Sequence, residues 1–212
     1  MNFFDSAMFQ RTRIATTFLR ICALSLLWLV GSLPLMTFGP TTMAAYHAAV
    51  KVIRRDRGKI FPEFFRAFRE NLKNGMLAGV MSLSLTALLI MGIRVSSVMA
   101  ADSRFWMILS YVYFFLLVLL GIFAMFLFPF FSRFCMTFVQ GMKLSLASTF
   151  QHLFTALTCL LVWVLGYQII RFLPAMLIII PSCCFIVCSM VIEPILRKHT
   201  VANEDEDTWY LE

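Results

Sequence analysis

Five long stretches of the chain carry no Asp, Glu, Lys or Arg: 21–50, 74–93, 105–132, 144–170 and 172–192. About 20 mainly apolar residues in a helix cross about 30 Å of hydrocarbon. Lipid offers no partner to a bare backbone, so such stretches must be helices that bond their own N–H and C=O groups. The period-two alternation of a membrane β-barrel is absent. The pattern predicts an all-α, polytopic membrane helix bundle with about five spans, near 18–38, 75–93, 105–131, 153–170 and 172–192. The third is long enough to reach about 40 Å, so it must tilt or project. Only Arg171 separates the last two, which predicts a tight helical hairpin. Pro34 is expected to bend the end of the first span, and Pro174 and Pro181 to bend or break the fifth.

Between the first two spans, the segment 39–75 carries eight of the 18 basic residues. Its first half places Ala44, Ala45, Ala48, Ala49, Val52 and Ile53 at helical spacing, with His47, Lys51 and Arg54 opposite. Gly58 suits a turn. In the second half Phe61, Phe64, Phe65, Phe68 and Leu72 share one face, and Glu63, Arg66, Arg69, Glu70 and Lys73 the other. The pattern predicts two amphipathic helices lying along the membrane, with His47 solvated. The phenylalanine stripe has two compatible readings: contact with lipid or a partner, and packing on the protein's own spans. Lys51, Arg54, Arg55, Phe61, Phe64, Phe65, Arg66, Phe68 and Arg69 are the candidate contact residues.

Composition strengthens the membrane reading: 61% of residues are hydrophobic, 14% charged, and mean hydropathy is +0.86. An average soluble domain is about 45–50% apolar and about 25% charged. The first window, following Arg11, Arg13 and Arg20, is too long for a signal-peptide core and reads as an uncleaved span. Residues 1–17 read as a short interfacial segment. The tail 194–212, with acidic residues 204–207, reads as polar and mobile. With five spans, one side of the membrane receives 12 basic residues (segments 39–75, 132–152 and 194–212) and the other six. That bias places 39–75 and the C-terminus in the cytoplasm; the N-terminal arginines pull the other way. Leu26–Gly31 resembles Leu116–Gly121, each followed by Phe and Pro, which hints at two span–amphipathic–span units.

The net charge of +7 fits topology and anionic lipid rather than nucleic acid. No paired carboxylates, nucleophile with a matched base, phosphate loop or zinc spacing is present, so no enzyme activity, metal or cofactor is expected. Arg20, Arg94, Arg171, His152 and Glu193 stand at span ends and read as interfacial anchors. Six cysteines in or beside apolar windows read as small packing residues.

The run Gly39-Pro40-Thr41-Thr42-Met43-Ala44-Ala45-Tyr46, then Val50-Lys51, Phe61, Phe64-Phe65-Arg66-Ala67-Phe68 and Asn71, resembles the YesL-like family of small bacterial membrane proteins, a domain of unknown function. Thr42 and Met43 depart slightly from the small residues expected there. The resemblance implies a bacterial cytoplasmic membrane and a link to carbohydrate uptake, since such proteins are often encoded beside ABC-type sugar importers. It carries no catalytic motif. The expected function is a non-catalytic accessory or regulatory partner of a carbohydrate ABC-type importer. Two alternatives stand beside it. One is a transporter or channel, for which Ser82, Ser84, Thr86, Thr158 and Gln168 would have to converge on one cavity. The other is an interfacial lipid-binding scaffold using 39–75.

Overall fold

The computed structural model describes residues 3–100, 103–134 and 136–199, with side chains described between 15 and 196. Among these residues there is no strand. Eight α-helices follow in order: α1 Phe3–Ser32, α2 Phe38–Ala48, α3 Ile60–Glu70, α4 Leu72–Met99, α5 Arg104–Arg133, α6 Phe138–Gln151, α7 Leu153–Phe172 and α8 Ile180–His199. Four apolar helical stretches are long enough to cross a membrane: Ala15–Ser32 within α1, and α4, α5 and α7. Their outer faces expose leucine, phenylalanine, valine and methionine in quantity, as lipid contact requires. The chain is a membrane protein built as an all-α bundle.

The fifth expected span is shortened. Its apolar part is Ile180–Leu196, because Pro174–Ile178 forms a 3₁₀ turn first. Pro181 does not break α8. It stands at the second helical position, where its missing N–H leaves no bond unmade. The hairpin with α7 forms as expected, across 173–179. The N-terminal segment joins the first span in one continuous helix, and residues 194–199 extend α8. The acidic run 204–207 and Cys135 lie outside the described residues.

The first span also ends early. A proline at 34 disfavours helix at the residue before it, and α1 stops at Ser32, with Pro34 itself extended. The carbonyl of Gly31 that this frees is taken up twice, by the hydroxyls of Thr37 at 2.7 Å and Thr41 at 2.9 Å. The chain then turns back into the protein. The internal similarity fails at this point, because α5 runs straight through Pro129 to Arg133, whereas its counterpart after α1 is a break.

The sequence pattern puts α2 at the membrane surface, and the structure corrects that placement. Every residue from Gly39 to Val50 is buried. Glycine makes this possible. A Cβ on Gly39 would lie 1.9 Å from the carbonyl oxygen of Gly75, and one on Gly79 would lie 2.6 Å from the nitrogen of Gly39. Gly75 and Gly79, four apart on α4, form the small-residue groove in which membrane helices approach backbone to backbone. Ser132 of α5 ties the other flank, donating to the carbonyl of Met43 at 3.0 Å. α3 lies against α2 through Ile60, Phe64 and Ala67, all buried. α2 is thus enclosed between α3 and the spans.

Gly79→Ala should therefore destabilise the protein by about 1–3 kcal/mol through overpacking, read as a lowered thermal midpoint in detergent. Gly121→Ala is the control. Its Cβ would meet only the flexible end of Leu160, at 3.0 Å, and it should be neutral or stabilising.

Candidate functional site

α2 presents different chemistry on two faces. Phe38, Thr42 and Tyr46, at i, i+4 and i+8, look into a central cavity. His47 and Lys51, also four apart, reach Glu63 of α3. The helix runs on into a π-helical turn, Ala49–Arg54, closed by the Arg55 N–H on the carbonyl of Val50 at 3.2 Å. A π turn fits an extra residue into the winding and re-aims the side chains beyond it. Here it sends Lys51, Arg54 and Arg55 to three different partners. Asp56, with φ +52°, and Gly58, with φ +85°, then reverse the chain into α3.

The first charge cluster centres on Glu63. Lys51 Nζ donates to it at 3.0 Å and Arg66 at 2.9 Å, with His47 Nε2 3.8 Å away. His47, expected to be solvated, is buried among cations. Burial first, and Lys51 second, hold its pKa down at about 4, against the opposing pull of Glu63. It is neutral near pH 7, so the contact with Glu63 is not an ion pair there.

The second cluster centres on Glu193 of α8. Arg133, in the last turn of α5, pairs with it, and both side chains are 5% exposed. Arg55 approaches the same carboxyl oxygen at 3.6 Å. Arg54 donates to the carbonyl of Ser189 at 3.0 Å and to its hydroxyl at 3.2 Å. Tyr46 lies beside this group. Its hydroxyl is buried with no hydrogen-bond partner among the described residues. Burial chiefly, and the neighbouring Glu193, raise its pKa, so it stays a phenol. A third pair, Arg20 with Asp56, clips α1 to the loop after the π turn.

The predicted contact residues therefore separate. Lys51 and Arg55 are internal ties, whereas Arg54 reaches Ser189 from an exposed position. Phe64 is buried at 3% exposure, stacks on Phe68 and joins the core. Phe61 and Phe65, at 57% and 49% exposure, stay outside with Arg66 and Arg69. Packing on the protein itself takes Phe64 and Phe68, and Phe61 and Phe65 are left exposed. Arg133, Glu193 and Tyr46 were not among the predicted site residues. One signal was available for Glu193: it and Asp102 are the only acidic residues between 71 and 203.

Beneath α2 lies a cavity of about 480 Å³ bordered by α1, α2, α4, α5, α7 and α8. Ser82 and Thr86 line it, but Ser84, Thr158 and Gln168 are exposed elsewhere. The polar residues named as a test of transport do not converge. Those that do reach the cavity turn inward to their own helix, Ser82 to Gly79 at 3.0 Å and Thr86 to Ser82 at 2.7 Å.

The charge clusters are open to two measurements. Removing one partner of a buried pair leaves an uncompensated charge, so Glu193→Ala should cost about 3–5 kcal/mol of stability, and Arg133→Met with Glu193→Leu should recover much of it in the same thermal assay. For His47, the unfolded state takes up a proton below about pH 6.5 while the folded state resists until about 4. Stability should fall as pH drops through that window, by at most about 3 kcal/mol. His47→Gln should remove that part of the pH dependence.

Residues 21–93 match the family model described as "Protein of unknown function, DUF624". The match takes in the C-terminal part of α1, all of α2 and α3, and most of α4, so it contains the buried helix and its glycine seat. No curated protein matches the chain, and no solved structure does.

Proposed function

We propose that this membrane protein of unknown function is a non-catalytic accessory component of the bacterial cytoplasmic membrane, and that it docks through α3 with a carbohydrate importer of the ABC type. The observation that carries the reading is the division of the phenylalanine stripe. Phe64 and Phe68 anchor α3 to the protein, while Phe61 and Phe65 face outward among Arg57, Lys59, Arg66 and Arg69. Two aromatic rings in a rim of arginine and lysine have the composition of a protein-contact patch. The rigid seat of α3 on α2 keeps the patch in one geometry, which lowers the ordering cost of binding.

The resemblance to the YesL-like family supplies the kind of partner, and the basic bias of 39–75 supplies the side, with α3 and the C-terminus cytoplasmic. The importer's cytoplasmic surfaces are then within reach of α3. A transport role of the protein's own receives less support, because the cavity's hydroxyls are spent on their own backbones. The same exposed face could contact anionic headgroups, and the partner test separates the two.

Affinity purification in mild detergent should recover importer subunits with the wild type. Phe61→Ser with Phe65→Ser should lose them while the protein remains folded and in the membrane. Recovery of no importer subunits, together with unchanged sugar uptake in a deletion strain, would count decisively against the proposal. Retention by the double variant would move the contact off α3.

A further inference from the structure

We propose that the cavity beneath α2 is a binding site for one long acyl chain, whose oxygen-bearing head is held at Tyr46. About 480 Å³ is within the range of small-molecule sites, which run from about 300 to 1,000 Å³. One wall is aromatic. Trp28, Trp163 and Phe185 pack against one another with centroids 5.1 to 6.0 Å apart. The remaining walls are chiefly aliphatic and phenylalanine side chains of the spans. Such a lining selects hydrocarbon and disfavours sugars or ions, which would lose their water without replacement.

The polar groups in the wall narrow the choice. Thr42 donates to Phe38 at 2.7 Å and accepts from the Trp28 indole at 3.3 Å. Ser82 and Thr86 donate to backbone. The exception is Tyr46, which lines the cavity and whose buried hydroxyl has no partner among the described residues. Leaving a buried hydroxyl unsatisfied is costly, and native proteins rarely do so. Its O–H donor and its acceptor lone pairs are both free, and the O–H is complemented by an oxygen acceptor on the ligand. Ile192 and Pro129 also border the cavity. Glu193 follows the first directly, and Arg133 stands one helical turn beyond the second. Arg54 and Arg55 join that group. The Tyr46 end of the site therefore lies next to a charged group of Glu193, Arg133 and Arg54, which is not itself in the lining, and the other end is hydrocarbon. That is the polarity of a fatty acid or of one chain of a bilayer phospholipid. The walls are spans whose other faces meet lipid, so an acyl chain has a route in from the bilayer.

The test uses the whole protein without any partner, so it is independent of the docking proposal. Native mass spectrometry of protein purified in mild detergent should show one bound acyl compound per chain. Its mass separates a free fatty acid from a phospholipid. Dibromostearate should quench Trp28 and Trp163 saturably. Tyr46→Phe should weaken that binding roughly five- to ten-fold, as loss of one hydrogen bond does. Thr86→Phe and, separately, Ala124→Leu fill the cavity from α4 and α5, and each should abolish both the adduct and the saturable quenching. Absence of any stoichiometric adduct or saturable quenching in the wild type would overturn the site. Unchanged binding in whichever filled variant folds would do the same. Unchanged affinity in Tyr46→Phe would overturn the placement of the head.

Discussion

The approach of α2 to α4 at Gly39, Gly75 and Gly79 is the constraint from which the rest of the architecture descends. With side chains at those positions the two backbones could not meet, and α2 would be displaced outward. Because they do meet, a helix of small residues fits between the spans and α3. Ala44, Ala45, Ala48 and Ala49 are all fully buried. In a bilayer there is little hydrophobic drive between apolar helices, so close van der Waals packing of this kind has to hold the bundle together. The helix then serves three neighbours at once. It roofs the cavity with Phe38, Thr42 and Tyr46, seats α3 through its alanines, and carries the cations that close both charge clusters.

Those clusters explain how Lys51 and Arg55 can be drawn inward while the other arginines and lysines of 39–75 stay exposed. A charge withdrawn from water is tolerated only when paired and hydrogen-bonded. Glu63 and Glu193 supply the counter-charge, one from α3 and one from α8, on opposite flanks of α2 and its π turn. Arg54 keeps its exposure to solvent and is held by a carbonyl and a hydroxyl of Ser189, groups suited to its several donors. His47 escapes the problem by remaining neutral. The arrangement joins α3, α5 and α8 to one short stretch of chain. It gives residues 21–93 contacts to α8, far outside them, through Arg54 and Arg55.

The patch on α3 and the cavity under α2 are opposite sides of the same layer. One faces away from the bundle and offers aromatic rings among cations. The other faces into the bundle and offers hydrocarbon with the unpartnered hydroxyl of Tyr46. A protein in the membrane that both docks with a neighbour and holds a lipid chain would have the two surfaces linked through one rigid helix.

The apolar windows by themselves determined the fold class, the membrane setting and most of the helices, because a run of about 20 uncharged residues has few other stable outcomes. The turn near Gly58, the amphipathic α3 and the α7–α8 hairpin were legible for similar local reasons. The placement of α2 was not. Its alanines and lysines suit a surface helix as well as a buried one, and only the glycine groove, drawn from two segments 36 and 40 residues apart in the chain (Gly39 with Gly75 and Gly79), decides between them. The same holds for the phenylalanine stripe, where the seat on α2 took Phe64 inward and left Phe61 and Phe65 outside. Arg133 and Glu193 were isolated charges at span ends until the bundle set them side by side. Periodicity reports which face of a helix is apolar; the cover over that face is a matter of long-range packing, and only the tertiary structure supplies it.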